Sequence, residues 1–119
     1  MGSYYNFMLT ETKEVIDKQI NDNRVVLFMK GSPVAPQCGF SMKVSQVLNF
    51  LMGENNYSSM NVLADGNLRE GIKEYSEWPT IPQVYIDKEF IGGCDIVVEM
   101  FESGELKELL QTKGLLKDG

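Results

Sequence analysis

There is no histidine anywhere in this chain of 119 residues. That absence removes Ser-His-Asp and Cys-His catalysis, and any metal site built on imidazole. Cysteine is nearly as scarce. Cys38 and Cys94 are the only two, too few for a disulfide scaffold or a four-thiolate metal site within one chain. Their number allows a bridge between them without requiring it, and such sparing use suits a reducing compartment. Basic residues are the minority, 11 against 17 acidic. An anionic surface disfavours the counterion release that drives nucleic-acid binding, so nucleic acid is not an expected partner. No apolar run approaches the roughly 20 residues of a membrane span, and no membrane partner is expected either.

What is present suits one globular domain. The apolar fraction is 43%, and the length is enough for a single hydrophobic core and too short for two. The start, Met1-Gly2-Ser3-Tyr4-Tyr5, has neither the apolar run of a secretory signal nor the arginines of a transit peptide. Its first three residues read as a cloning remnant. We therefore expect a tail over residues 1–8, a domain over 9–114 and a second tail over 115–119.

Periodicity predicts the elements. Residues 10–20 read as a helix, with Thr10 as cap, acidic residues in the first turn, and Ile16 and Ile20 on one face. Residues 25–29 form a continuous apolar run, as in a strand buried on both faces. A loop with Gly31, Pro33 and Pro36 follows. Val44, Val47, Leu48 and Leu51 then mark an amphipathic helix from about Cys38 to Gly53. Residues 60–63 suggest a strand parallel to the first, since the connection is a helical crossover. Asp65 opens a helix carrying Leu68, Ile72 and Tyr75. After the break at 78–82, residues 84–86 and 90–91 read as a hairpin around Asp87-Lys88. That turn is poor, because its second residue needs a positive φ that glycine adopts better than lysine. Two helices end the chain, one with Val97, Met100 and Phe101, the other with Leu106, Leu109 and Leu110. The order predicts an α/β fold: a central four-stranded mixed sheet flanked by helices on both faces. Ligands of such sheets sit at the carboxyl ends of the parallel strands, which points to the loop before Cys38.

Cys38 itself has two readings, a packed small hydrophobe or a reactive thiol. Pro36 and Gly39 set it in a turn at a helix N-terminus, where free N–H groups and the dipole favour a thiolate. The residue three further on, where a redox pair has its second thiol, is Ser41.

Four separated motifs now agree in order and spacing. They are Lys30-Gly31-Ser32-Pro33 with its eight-residue step to Cys38, Cys38-Gly39-Phe40-Ser41, Trp78-Pro79-Thr80-Ile81-Pro82-Gln83, and Gly92-Gly93-Cys94-Asp95. With them the chain resembles the monothiol glutaredoxins of the CGFS class. The resemblance implies a thioredoxin-like fold that binds glutathione, with Cys38 as the catalytic thiol and the metal ligand. It implies that Lys30 and Arg69 meet the carboxylate at the glycine end of glutathione. Ile81-Pro82 is then a cis peptide that leaves the backbone of Ile81 free to pair with the tripeptide, with Thr80 orienting it. Gly93 permits close approach, and the helix start at Cys94 and Asp95 takes the γ-glutamyl end. Gly39 and Phe40 flank the thiol, Phe40 either shielding a cofactor or anchoring the helix. Trp78 is expected as core packing, and the Cys94 thiol is either packed or a partner for Cys38 under oxidation.

Two functions follow from one thiol. A [2Fe–2S] cluster takes four ligands, which two Cys38 thiolates and two glutathione thiols supply across a twofold homodimer. The class resemblance implies transfer of that cluster to apo iron–sulfur recipient proteins, with BolA-like partners. The alternative is a glutathione-dependent thiol–disulfide oxidoreductase, limited by the lack of a resolving thiol at Ser41. The expected compartment is the mitochondrion, with a presequence already removed; the alternative is the cytoplasm.

Overall fold

In the computed structural model, residues 9–118 are described, so the expected 1–8 tail lies outside the described residues. The strand β1 (Val25–Met29) is buried at all five positions and holds the centre of the sheet. It pairs in parallel with β4 (Ser58–Asn61) and antiparallel with β5 (Gln83–Ile86), and β6 (Glu89–Gly92) pairs antiparallel with β5. The sheet order is therefore β4-β1-β5-β6. Alternate residues of β1 serve two cores, as a strand period of two dictates. Val25, Leu27 and Met29 pack with α2 (Gly39–Met52), α4 (Cys94–Ser103) and α5 (Glu105–Thr112). Val26 and Phe28 pack with α1 (Thr10–Asp22) and α3 (Gly66–Ser76). The expected mixed sheet with helices on both faces is thus present.

Three details differ from the sequence expectation. Leu9, not Thr10, holds the cap position of α1, because its carbonyl accepts the first helical bond from the Lys13 N–H at 3.0 Å. The strand expected at 60–63 begins two residues earlier, where Ser58 pairs with Val26 and Asn61 with Met29. The apolar run misleads there: Val62 is fully buried beyond the strand, while the strand itself alternates in exposure. The expected loop after β1 contains a small ladder, β2 (Gly31–Ser32) against β3 (Ala35–Pro36). Gly31 makes it possible, since its φ is 89° and a Cβ there would meet the Ala35 carbonyl at 2.5 Å.

The turn flagged as poor does carry positive φ at both residues, 49° at Asp87 and 71° at Lys88. It is held by an ion cluster at the amino end of β1. Arg24 donates from Nε and Nη2 to the two Asp87 carboxylate oxygens at 2.8 and 2.9 Å, and Lys113 Nζ lies 3.0 Å from the same carboxylate. Residues 115–118, expected as part of a tail, lie against the domain. Leu115 and Leu116 pack on the core, and the Lys117 N–H donates to the Leu51 carbonyl at 2.9 Å. No helix of the described residues is long and apolar enough to cross a membrane.

Candidate functional site

At the other end of β1, Cys38 takes the N-cap position of α2 with an extended backbone (φ −159°). A cap residue faces the free amides of the first helical turn, and here the Cys38 side chain takes that place without closing a capping hydrogen bond. The backbone N–H of Ser41 leads in holding the Cys38 thiol below its ordinary pKa, with help from the Phe40 N–H, the Ser41 hydroxyl and the Lys30 charge, against the opposing effect of burial. Cys94, at the start of α4, moves the other way, pushed up by burial and then by the Asp95 carboxylate. Both are free thiols. One cleft thus holds two cysteines of opposite character, and Cys38 is the one whose thiolate the surroundings favour.

Ser41 is fully buried, and its hydroxyl accepts the Lys30 N–H at 3.0 Å. The Lys30 carbonyl in turn accepts from the Gln37 N–H at 2.9 Å. These bonds close the 30–37 loop at its base and fix where the Lys30 side chain departs.

The Ile81–Pro82 bond is cis. Gln83, fully buried, anchors that segment by donating from Nε2 to the carbonyls of Trp78 and Thr80 at 3.0 and 3.1 Å. Gly93 sits under the same wall. A Cβ there would lie 3.0 Å from Trp78 Nε1 and 3.3 Å from the Pro82 carbonyl, closer than ordinary contact.

These elements enclose a cleft of 710 Å3, within the usual range for a small-ligand site. It brings together Lys30, Cys38, Phe40, Arg69, Thr80, Ile81, Pro82, Gly93, Cys94 and Asp95. Gly39 lies outside the lining, exposed and with open space around it. Phe40 is 63% exposed, so it forms the rim and does not anchor the helix. Trp78, expected as packing alone, both stacks on Phe90 at 5.5 Å and lines the cleft. Lys73 was missed. It lines the cleft one helical turn after Arg69, a spacing that puts both on the same face of α3 and was visible in the sequence.

The electrostatics of the cleft invert those of the chain. Its lining carries three cations, Lys30, Arg69 and Lys73, against the single carboxylate of Asp95, in a protein of net charge −6. Arg69 Nε is buried without a partner among the described residues. A buried donor left unpaired is costly, and a cleft richer in cations than in carboxylates is chemically suited to an anion.

Residues 25–91 match the family model for glutaredoxin. A monothiol glutaredoxin of the cyanobacterium Synechocystis, itself uncharacterised, is 52% identical over 104 residues, covering 87% of this chain and 95% of that protein. The chain belongs to the monothiol glutaredoxins. The mitochondrial monothiol glutaredoxin-5 of Saccharomyces cerevisiae is 51% identical, over 88% of this chain and 71% of its own. The solution structure of reduced apo GrxS14 from poplar superposes with a TM-score of 0.72 at 52% identity, covering 84% of this chain and 90% of that one. The thioredoxin-like glutaredoxin fold is therefore shown, and with it a glutathione-dependent family whose activities are redox and iron–sulfur related.

Proposed function

We propose that this glutaredoxin carries a [2Fe–2S] cluster as cargo and hands it to apo iron–sulfur proteins. The observation that carries the reading is the pairing of one thiol of lowered pKa with a cation-rich cleft. Glutathione has two carboxylates and one ammonium group. Lys30, Arg69 and Lys73 suit the former and Asp95 the latter, which leaves the glutathione thiol beside Cys38. Gly39 contributes by giving the approach to Cys38 no side chain to pass. Among the described residues no group of three or more His, Cys, Asp or Glu could hold a metal ion. Further ligands then come from outside the chain: glutathione thiols and the Cys38 of a second copy. The exposed Phe40 beside Cys38 and Val34 in the loop leading to it, 63% and 86% exposed, give such a copy an apolar rim to close on. Thiolates borrowed from exchangeable glutathione also suit a cargo that must leave. BolA-like proteins and apo recipients would take the place of the second copy. The mitochondrial relatives favour the mitochondrion as the compartment, and similar cyanobacterial and plastid proteins make a bacterial-type cytoplasm or plastid the alternative.

The lowered Cys38 pKa also favours a second reading, protein deglutathionylation. The Cys38 thiolate attacks the glutathionyl sulfur of a mixed disulfide, the S–S bond breaks, and the substrate thiolate leaves. A glutathione thiolate then attacks the Cys38 adduct, releasing glutathione disulfide and restoring the Cys38 thiolate. Anaerobic reconstitution with iron, sulfide and glutathione separates the two. A coloured dimer that reverts to a colourless monomer in Cys38→Ser is expected of the carrier. A chain that stays colourless, yet rapidly reduces a glutathionylated protein, is an oxidoreductase instead.

A further inference from the structure

Asn61 is the last residue of β4, and its side chain takes over where the strand pairing stops. The β1–β4 pairing runs out at the Val62 N–H, which donates to the Met29 carbonyl at 2.9 Å. Just beyond, two backbone amides turn to a single atom. The Gly31 N–H and the Leu63 N–H both donate to Asn61 Oδ1, each at 2.9 Å. Two donors on one atom mark it as the carboxamide oxygen, and they use both of its lone pairs.

Those two amides lead to opposite walls of the cleft. Gly31 shares a peptide unit with Lys30. The Asn61 bond holds the N–H of that unit, and the Gln37 N–H holds its carbonyl, so the point from which the Lys30 side chain departs is fixed on both sides. Leu63 lies in the turn that the Ala64 N–H closes on the Asn61 carbonyl at 3.2 Å. Asp65 follows as the cap of α3, accepting the Asn67 N–H at 2.9 Å, and α3 carries Arg69 and Lys73 into the cleft.

We propose that Asn61 is a positioning residue for this cleft: its one oxygen sets the spacing between Lys30 and Arg69, so that both reach the carboxylate at the glycine end of glutathione. The inference rests on the glutathione reading above and adds what holds the two cations at a common target. Cations brought to one carboxylate repel each other, so the segments that carry them need a tie that the cations do not provide. Asn61 is that tie.

The test compares reduced glutathione with its ester at the glycine carboxylate. Binding is followed in the full chain by the fluorescence of Trp78, the only tryptophan and part of the cleft wall. Wild type should prefer the free carboxylate to the ester. Asn61→Leu keeps the size and removes the acceptor, and Asn61 is exposed, so the core stays intact. It should weaken glutathione by about threefold through lost preorganisation and leave the ester nearly unchanged. Asn61→Asp keeps the acceptor and should retain most of the preference at physiological salt, where its exposed charge is largely screened. In a Lys30→Gln background Asn61→Leu should cost less, because one of the two cations it spaces is gone. Equal loss of both ligands in Asn61→Leu, or a preference as strong as that of wild type, would overturn the proposal alone. A wild type that binds glutathione and the ester equally would instead remove the carboxylate assignment, and the proposal with it.

Discussion

The two ends of β1 each carry a basic residue, Arg24 just before the strand and Lys30 just after it, and they meet opposite fates. Arg24 is closed by a bidentate pair with Asp87, and its Nη1 adds a bond to the Lys113 carbonyl at 3.2 Å. Lys30 has no carboxylate within ion-pair distance among the described residues, and Arg69 across the cleft keeps a buried Nε without a partner. One pole is electrostatically complete and braces the fold. The other is left open, as the proposed glutathione site requires. Residue type alone does not separate these roles, because a surface cation is by default only solvated. What separates them is whether the protein itself supplies the counter-charge.

The largest expected effect is at the open pole. Arg69→Ala should weaken glutathione binding by about tenfold or more, the worth of a charge-assisted hydrogen bond, while thermal stability holds or rises. Calorimetric titration with reduced glutathione and a melting curve check both halves. A loss of stability with unchanged binding would mean that Arg69 is a structural cation after all. Gly93→Ala comes next. Its methyl would press on Trp78 Nε1 and the Pro82 carbonyl, so the wall must shift by a few tenths of an ångström. Binding should fall less than with Arg69→Ala, by about threefold, measured in the same titration.

At the closed pole the signs reverse. Asp87→Asn should lower the melting temperature by a few degrees and leave glutathione affinity untouched. Arg24 first, and Lys113 second, hold the Asp87 carboxyl well below the usual carboxylate range. A carboxyl depressed in the folded state stabilises the protein above its unfolded pKa of about 4, and that stability is lost as pH falls further. Wild type should therefore lose stability more steeply below about pH 4 than Asp87→Asn does, and added salt should narrow the gap because the cluster is partly exposed.

This contrast also marks how far the sequence could be read. The parts of the open pole sit in short motifs that carry the family resemblance, and through it Lys30, Cys38, Ile81-Pro82 and Gly93 could be named before the structure brought them to one cleft. The central strand was legible too, since a run of five apolar residues bounded by polar ones is short for a helix and fits a buried strand. Three things were not. The edge strand β4 takes its register from β1, and its own apolar run pointed two residues too late. The β2–β3 ladder is two residues long on each side and has no period to detect. The turn at Asp87-Lys88 looked wrong locally because Arg24 and Lys113, which hold it, lie 63 residues before and 26 residues after Asp87 in the chain. Ser41 was read as an absence, since nothing in the pattern shows that its hydroxyl meets the Lys30 amide.

The smallest expected effect dissects the closed pole itself. Lys113→Met removes one of the two cations on Asp87, but Arg24 keeps both of its bonds to the carboxylate, and the Lys113 carbonyl that accepts from Arg24 is backbone and stays. The aliphatic stem is replaced at similar length, so its packing changes little. The melting temperature should therefore fall by less than half of the Asp87→Asn loss. In the double variant Lys113→Met should add nothing, because its partner is already gone, and thermal melts of the four proteins give that coupling directly. If Lys113→Met cost as much as Asp87→Asn, the lysine and not the arginine would be holding the turn, and the pairing of Arg24 with Lys30 as opposite ends of one strand would lose its closed member.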